Sequence, residues 1–365
     1  MAETIGLTMD ERVKAVRRLS SSALTTFIQA IFVAAGSEVR EAEIVASHLV
    51  EASFMGHDSH GVVRVSKYVE WLRAGQVQLN RHARVVVDRG ALVVVDGDFG
   101  FGQVIGSEAM EIAAARATSH GMATMAVRNS GHLGRIGAWP EMLAERGLAS
   151  VHFVNTSGFG ILVAPFGGAE RRLSANPIAA GAPIRGARPI ILDIATSTIA
   201  EGKIQVARNK GEQLPPGMVL DGQGRPTTDP EAFYANPPGT ILTFGGHKGS
   251  GLSLFCEILA GSLTGGYASN PSSPTADRVV NNMLSLAFDP AAFGDSDAFA
   301  EDVIRLIDWV KSSSPLAADG KVLLPGEIAQ SVHRERMERG LPIDDATWRA
   351  LSATAASLGI SAPAE

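Results

Sequence analysis

The sequence has little cysteine, no run of one charge and no long apolar stretch. Its single cysteine, Cys256, excludes an internal disulfide and suits a reducing compartment; inside the apolar run 252–263 we expect it to be a buried packing residue. The net charge of -6 includes no basic stripe of the kind that binds nucleic acid. No segment approaches the roughly 18 apolar residues of a membrane-spanning helix, and residues 1–20 lack a signal-peptide core. We therefore expect a cytoplasmic protein without membrane or nucleic-acid partners.

The apolar pattern predicts a mixed α/β (α+β) chain. Hydrophobic residues at 45% and charged residues at 19% are typical of a globular protein. Helical periodicity runs through 24–54, and a second helix is predicted from Ser59 to Gly75. From about residue 84, short β-type runs alternate with glycine-rich turns and helical patterns. The predicted strands are 85–87, 92–95, 123–127, 150–154, 190–193 and 284–288, and the later predicted helices are 106–117, 252–263, 299–312 and 326–339.

One glycine-rich turn imitates a dinucleotide-binding fingerprint. The predicted strand 92–95 is followed by GDFGFGQVIG, with glycines at Gly100, Gly102 and Gly106. This spacing is one residue too wide for G-x-G-x-x-G, and no acidic residue closes a second strand about 20 residues further on. We interpret the segment as a structural turn, so the sequence does not predict a Rossmann domain.

The densest group of chemistry-bearing residues is GHDSHGVVR at 56–64. Asp58 or Ser59 is a suitable N-cap, so a helix is predicted to begin here. His60 and Arg64, four residues apart on that helix, would reach the same place. Arg64 could then hold a carboxylate while His60 moves the proton of an adjoining hydroxyl group. The predicted polar face carries His60, Arg64, Lys67 and Trp71, and the opposite face carries Val62, Val65, Val69 and Leu72.

Two other interpretations of this segment stay open. A capped helix with a solvated polar face would produce the same spacing without any function. His57, Asp58 and His60 are also chemically suitable metal ligands, although their spacing matches no metal-binding motif and we predict no metal.

Three further glycine-rich or polar segments could bind an anion or a substrate. NSGHLGRIG at 129–137 follows a predicted strand, an arrangement that can present backbone N–H groups to phosphate; the alternative is a glycine turn with an incidental His132. SANP at 174–177 is followed by LDIATS at 192–197. GGHKGSG at 245–251 opens an apolar helix and suits an anion without the order of a P-loop, unless its glycines only permit close packing.

Taken in order, these segments resemble the malate/L-lactate dehydrogenase family, which includes L-sulfolactate dehydrogenase and Δ1-piperideine-2-carboxylate reductase. The resemblance implies a non-Rossmann fold with a sheet-based cofactor domain, NAD or NADP as cofactor, and a homodimer with its active site near the subunit interface. It also implies a helical domain built from both ends of the chain. The predicted domains are a flexible tail (1–18), a helical domain (19–84 with 296–365) and a cofactor-binding domain (85–295). The resembling segments are GHDSHGVVR, GFGQVIG, SGHLGRIG, SANPIA, LDIATS, GGHKGSG and LPGE, across residues 20–345.

The resemblance implies roles for individual residues. His60 corresponds to the proton donor and acceptor, with Ser59 as its neighbouring relay, and Arg64 corresponds to the anchor of the substrate carboxylate. His132 lies in the loop that contacts cofactor and substrate, where it would orient the reacting oxygen. Further substrate contacts are assigned to Ala175, Asn176 and Lys203, and cofactor contacts to Leu133, Gly134, Arg135, Ile136, Asp193, Ile194, Ala195, His247, Lys248, Gly249, Gly326 and Glu327.

Two departures from the family pattern concern the substrate. Lys203 stands where imine-reducing members carry an acid, which favours hydroxy acids over cyclic imines. Ala175 stands where the family has a threonine in G-T-N-P, which leaves the particular acid open. The predicted activity is hydride transfer between a nicotinamide and a small 2-hydroxy or 2-oxo carboxylic acid, of malate or lactate type. The alternatives are a cyclic imino-acid reductase, a metal-dependent hydrolase using His57, Asp58 and His60, and a nucleotide-binding protein without activity.

Overall fold

The computed structural model describes residues 17–317 and 320–363. Residues 1–16 of the predicted tail lie outside the described residues, and Arg17 and Arg18 lie in strand β1. The strands are β1 (Arg17–Leu19), β2 (Arg84–Arg89), β3 (Leu92–Asp96), β4 (Met122–Ser130), β5 (Ala149–Gly158), β6 (Ile178–Ala182), β7 (Ile190–Ile194), β8 (Val219–Leu220), β9 (Pro226–Thr227), β10 (Thr240–Ile241), β11 (Val279–Phe288) and β12 (Leu341–Ile343). The helices are α1 (Ser21–Ala34), α2 (Val39–Phe54), α3 (Arg64–Arg73), α4 (Gly102–His120), α5 (Ala138–Ala144), α6 (Glu201–Lys210), α7 (Pro230–Tyr234), α8 (His247–Cys256), α9 (Pro290–Phe293), α10 (Ser296–Lys311), α11 (Glu327–Arg339) and α12 (Asp345–Ala356).

A seven-stranded mixed sheet in the order β2-β3-β4-β11-β5-β6-β7 forms the centre of the fold. β3 and β4 pair in parallel, with α4 as their crossover, and the other neighbouring pairs in this sheet are antiparallel. A Rossmann domain is built on a mostly parallel sheet. The predicted mixed α/β, non-Rossmann fold is therefore confirmed.

The main hydrophobic core lies between this sheet and α4. Val93 and Val95 on β3 and Met125 and Val127 on β4 are buried because alternate residues of each strand face the helix. Gly106 on α4 leaves room for the ring of Trp139, since a Cβ at this position would lie 2.6 Å from that ring. The interpretation of GDFGFGQVIG as a structural segment agrees with this packing.

A second core lies around the three-stranded sheet β10-β8-β9. Ile204 and Ala207 of α6 pack there against Phe233 and Ile241, all of them at most 8% exposed. This cluster anchors the segment before α8, which carries part of the candidate site.

The contacts divide the chain into two compact units. Of the described residues, those up to Val69 and those from Ser331 onward form one unit, and those within Glu70–Gln330 form the other. In the first unit, α1 and α2 pack together and β1 pairs antiparallel with β12. These limits differ from the predicted domain limits at 84/85 and 295/296, and the domain assignment stays a prediction.

Several local predictions need correction. The helical pattern 24–54 is two helices, because the chain turns at Gly36, which has a φ of 107° that a β-carbon disfavours. Strand β6 and helices α5, α6 and α12 were not predicted; β6 (IAAGA) lacks polar alternation, and α5 has only 7 residues. Within residues 17–317 and 320–363, no helix combines the length and apolar character needed to cross a bilayer.

Candidate functional site

The predicted site residues fall in both compact units. Ser59, His60 and Arg64 lie in the first unit, and the other assigned residues lie in Glu70–Gln330.

The segment around His60 is a tight turn rather than the start of a helix. Asp58–His60 form one 3₁₀ turn, and α3 begins only at Arg64, so the predicted helix from Ser59 is wrong. Gly61 explains the difference: its ψ of -146° is not helical, and a Cβ there would lie 1.9 Å from Ser53 Oγ. The chain at Gly61 and Val62 therefore crosses close over Ser53 of α2. The hydroxyl of Ser53 accepts the backbone N–H of Val62 at 3.0 Å, which holds this crossing in place.

Arg64 still lies against the turn that carries His60, by a different contact from the predicted one. Its Nε donates to the carbonyl of Ser59 at 2.6 Å. The apolar side of α3 includes Val65 and Val69, as predicted, but also Trp71, which is only 7% exposed and was assigned to the polar face. Trp71 is buried because removing its large indole ring from water is strongly favourable, and this outweighs its position among polar residues in the helical pattern.

The environment of His60 favours a neutral imidazole. The ring keeps partial solvent exposure, yet protein atoms surround it closely, and its pKa is lowered from 6.5 to about 3 with burial as the largest cause. Electrostatic interactions with Arg64 and then His57 are the other causes of this lowered pKa. At neutral pH His60 is therefore uncharged and has the capacity to accept a proton.

Asp58 is occupied by a structural ion pair. Its carboxylate contacts the guanidinium of Arg336 on α11 through two oxygens, at 2.5 Å and 3.1 Å. Arg336 also donates to the carbonyl of Ser53, so the pair ties the turn to the helix beside it. A carboxylate held in this way does not suit the metal-ligand interpretation, and the described part of the chain contains no cluster of three or more His, Cys, Asp or Glu side chains arranged for a metal.

His132 lies in a loop, residues 131–137, between β4 and α5. Leu133 and Ile136 are buried in the main core and anchor the loop from inside. The side-chain oxygen of Asn281 accepts the N–H of Leu133 at 2.8 Å, and Asp193 Oδ2 on β7 accepts the N–H of Gly137 at 2.8 Å. These two amides are engaged within the protein, so the expectation that this loop offers its N–H groups to phosphate does not hold for them.

The turn GDFGFG at 97–102 packs directly on the His132 loop. The N–H of Gly131 donates to the carbonyl of Gly100 at 2.8 Å. A Cβ at Gly102 would lie 2.3 Å from the carbonyl oxygen of His132. Gly102 is therefore required for close backbone packing beside His132.

We expect Gly102→Ala to displace the His132 loop, because its neighbour is backbone and cannot turn aside. The variant should lose about 2 kcal/mol or more of unfolding free energy, measured by urea denaturation. Gly251→Ala is the matched control, since a Cβ at Gly251 on α8 meets nothing within 4 Å. That control should be equal to the wild type or up to about 1 kcal/mol more stable. Equal stability of the Gly102 variant and the wild type would contradict the close packing.

The Ala175–Asn176 segment and the start of α8 are joined through Thr196. The N–H of Thr196 donates to the carbonyl of Ala175 at 2.9 Å, and the carbonyl of Thr196 accepts the N–H of Phe244 at 3.1 Å. Gly249 completes this packing, because a Cβ there would lie 2.8 Å from the carbonyl of Thr196. The alternative role of that glycine, close helix packing, thus applies to Gly249.

The N-terminus of α8 presents polar groups to solvent. His247 and Lys248 are exposed, and Gly245 and Gly246 precede them with φ of 56° and 61°. His247 also stacks edge-on against Phe166 at 5.9 Å between ring centroids. A lysine beside the positive end of a ten-residue helix suits an anionic group such as a cofactor phosphate.

Two assigned charges are neutralised by protein partners. Arg135 is 4% exposed and pairs with Glu141. Glu327 pairs with Lys311 at 2.6 Å and accepts the N–H of Leu324, and these partners lower its pKa.

The Gly326–Glu327 turn packs on strand β7, because a Cβ at Gly326 would lie 3.1 Å from Ile191 O. That strand carries Asp193 and Ile194, and Ala195 directly follows it. Lys203 lies on the exposed side of α6.

Comparisons with known proteins identify the family. The model of the malate/L-lactate dehydrogenase family matches residues 19–352. The chain belongs to this family. A hydroxycarboxylate dehydrogenase of Escherichia coli O157:H7 is 42% identical over 345 residues, which cover 94% of this chain and 95% of the relative. The structure of the sulfolactate dehydrogenase of Methanocaldococcus jannaschii matches with a TM-score of 0.86 at 33% identity, over 94% of this chain and 98% of that chain.

The same family contains a relative with the rival activity. A Δ1-pyrroline-2-carboxylate/Δ1-piperideine-2-carboxylate reductase of Pseudomonas putida is 34% identical over 336 residues, which cover 90% of this chain and 94% of the relative. The predicted resemblance to the malate/L-lactate dehydrogenase family is confirmed. Because relatives in this family have hydroxy-acid or imine activity, membership by itself does not decide between the two.

Sequence reasoning missed the polar residues that hold the site segments from behind. Asn281 and Asn282 on β11 and Asn155 on β5 are at most 3% exposed, and so is Glu257. Their signals were present: an N-N pair inside the strand VVNNMLSLAF, and one glutamate inside the apolar run LSLFCEILAG. Buried polar residues in apolar elements need partners, which makes them markers of a network.

Cys256, next to Glu257, is buried as predicted, and burial raises its pKa to about 12.

Proposed function

We propose that the protein is an NAD(P)-dependent oxidoreductase that transfers hydride between a nicotinamide and a small 2-hydroxy or 2-oxo carboxylic acid. The observation that carries this proposal is a neutral His60 in the same tight turn that Arg64 contacts through Ser59 O at 2.6 Å. A proton acceptor beside a guanidinium matches an acid whose hydroxyl carbon adjoins its carboxylate.

In the oxidation direction, Arg64 binds the substrate carboxylate and His60 accepts the hydroxyl proton at an imidazole nitrogen. Binding an anion beside Arg64 offsets the positive charge that lowers the pKa of His60, so the imidazole becomes a stronger base when substrate is present. Ser59 serves as the neighbouring relay. His132 orients the reacting oxygen. Asn176 holds the protein segment Ala175–Asn176, which is assigned to substrate contact, in place.

The residues around α8 suit a dinucleotide. Exposed Lys248 at the helix N-terminus matches the negative charge of its phosphates, and exposed His247 lies beside it. The nicotinamide supplies or accepts the hydride when bound. Among the other assigned residues, the half-buried Ile194 and Ala195 offer apolar surface, whereas Leu133, Gly134 and Ile136 are buried within the protein.

A cyclic imino-acid reductase is the second candidate on this scaffold. The relative of Pseudomonas putida favours it, whereas Lys203, in place of the acid found in the imine-reducing pattern, favours hydroxy acids. We give the hydroxy-acid activity priority because a lysine cannot supply the carboxylate that assists imine protonation.

The proposed assembly is a cytoplasmic homodimer. Apolar side chains on α8 and α10 support it, since Phe255 is 57% exposed and Trp309 is 77% exposed. Large exposed aromatic residues on helices are typical of interfaces. In analytical ultracentrifugation we expect a species of twice the chain mass, and a 38.2 kDa monomer at micromolar concentration would contradict the proposal.

A substrate panel tests the activity. Purified protein is incubated with NADH or NADPH and pyruvate, oxaloacetate, sulfopyruvate or Δ1-piperideine-2-carboxylate, and the absorbance at 340 nm is followed. We expect turnover with at least one 2-oxo acid and a kcat/KM about tenfold or more above that of the imine, because one mismatched polar contact costs about that factor. Turnover of the imine alone would favour the second candidate, and nucleotide binding without any turnover would contradict both.

A further inference from the structure

Glu257 is a buried carboxylate whose hydrogen-bond partners are amides. It is 3% exposed and begins the π-helical segment Glu257–Ser262 that continues α8. Its Oε1 accepts Asn176 Nδ2 at 2.7 Å, and its Oε2 accepts Asn155 Nδ2 at 2.9 Å and the N–H of Ser269 at 2.8 Å. Three donors on one carboxylate compensate the cost of burying its charge.

This carboxylate determines the direction of a chain of side-chain amides. A carboxylate only accepts, so Asn155 must turn its NH₂ group to Glu257 and its Oδ1 away. That oxygen accepts Asn282 Nδ2 at 2.9 Å, and Asn282 Oδ1 accepts the backbone N–H of Asn129 at 3.0 Å. A backbone N–H only donates, so the chain is fixed at both ends. Reversing one amide would place donor against donor.

The chain ends at the start of the His132 segment. Asn129 has a φ of 53°, in the left-handed region, and lies three residues before His132. Asn281, which precedes Asn282 on β11, accepts the N–H of Leu133 and so holds the chain on the other side of His132. The register of β11 against β4 shifts between Asn281 and Met283, which lets two adjacent asparagines both reach the loop.

A second branch from Glu257 reaches the segment assigned to substrate. Asn176 donates to Glu257, so its Oδ1 is turned to the N–H of Thr156, which it accepts at 3.2 Å. Asn176 is fully buried and has a φ of 24°, so its side-chain contacts hold an unfavourable backbone conformation.

We infer that Glu257 is a positioning residue that fixes the His132 loop through Asn155 and Asn282, and the Ala175–Asn176 segment through Asn176. The inference rests on the proposed function for the role of these two segments, while the network itself is a property of the chain. Glu257 acts through its acceptor-only carboxylate, and glutamine of the same shape cannot replace it, because its NH₂ group would face a donor in either orientation.

The test compares Glu257→Gln with the wild type by hydrogen–deuterium exchange and by kinetics. We expect the amide of Asn129 to exchange about tenfold faster, as one hydrogen bond is lost, with peptides from β2 and β3 unchanged. With the best 2-oxo acid of the panel, kcat/KM should fall about 100-fold, since small displacements at a reacting centre have effects of that size. Glu41→Gln is the matched control: Glu41 is a 5% exposed glutamate on α2 that accepts Ser37 Oγ at 2.7 Å, and it lies outside this network.

Asn282→Ala provides a second variant that keeps the carboxylate. Since Glu257 is inferred to act through Asn282, the double variant should exchange at Asn129 at the rate of Asn282→Ala alone. Additive effects, wild-type exchange at Asn129 in Glu257→Gln, or an equal increase across the whole sheet would each overturn the inference. If the wild type turns over no substrate of the panel, the proposed function fails while the exchange measurements still decide the role of Glu257.

Discussion

His60→Ala is expected to lower kcat roughly 10²–10⁴-fold, the usual contribution of a positioned proton-transfer group. The neutral imidazole has no replacement in its turn, because Asp58 is held by Arg336 and the carbonyl of Ser59 is held by Arg64. Steady-state kinetics with the best substrate of the panel measures this loss. Binding of NADH, followed by fluorescence, should change little, since His60 is assigned to the substrate.

His82→Gln is the matched control for His60. His82 is an exposed histidine that contacts Glu108 at 2.7 Å, and we expect its variant to keep the wild-type kcat. Near-normal turnover of His60→Ala would contradict the assignment of His60, and equal losses in both variants would point to a general effect of removing a histidine.

The pH dependence gives an independent measure of the same residue. In the proposed mechanism oxidation uses neutral His60. With a pKa of about 3 this form persists throughout the range from about pH 5 to pH 8, so kcat/KM for oxidation should show no acidic limb from His60. Reduction in the same proposed mechanism uses the protonated form of His60, whose fraction falls as the pH rises above its pKa. The kcat/KM for the 2-oxo acid should therefore increase by up to about tenfold for each unit that the pH falls. His60→Ala should remove this slope.

Arg64→Ala is expected to raise KM for the acid about 100-fold, with a smaller effect on kcat. A charge-assisted contact between a guanidinium and a carboxylate accounts for an effect of this size. The variant should also raise the pKa of His60, because the charge of Arg64 is one of the causes that lower it. The slope of kcat/KM against pH in the reduction direction should then flatten at the acidic end.

Arg73→Ala tests whether any arginine of α3 would have the same effect. Arg73 is exposed in the last turn of that helix, and its variant should keep the wild-type KM. An unchanged KM in Arg64→Ala would contradict the carboxylate anchor. A raised KM for NADH alone would move Arg64 from the substrate to the cofactor.

The linear sequence contained enough to predict the class of the fold and the family. Glycine spacing at Gly100, Gly102 and Gly106 argued against a Rossmann domain, and the sheet is antiparallel outside the pair β3–β4. Strands such as β3 and β4 were predictable because short β-branched runs between glycines carry a local signal. The seven ordered motifs predicted the family, which the match over residues 19–352 confirms. The assigned roles of His60, Arg64 and His132 stay predictions.

Tertiary contacts decided how the site residues are held. Periodicity placed His60 and Arg64 on one helix, but Ser53, Gly61 and Val62 make a crossing that ends the turn before α3 begins. Local pattern could not reveal this, because Ser53 lies on α2 and its contact depends on the folded chain. The same holds for Glu257, which reaches Asn129 only through residues distant in sequence. The sequence by itself determined which chemical groups are available and the family they belong to. Only the folded structure decided which of these groups are paired with an opposite charge, as Arg135 is with Glu141, and which are held by amides, as Glu257 is. It also decided that His60 stays uncharged, because burial and neighbouring charge lower its pKa.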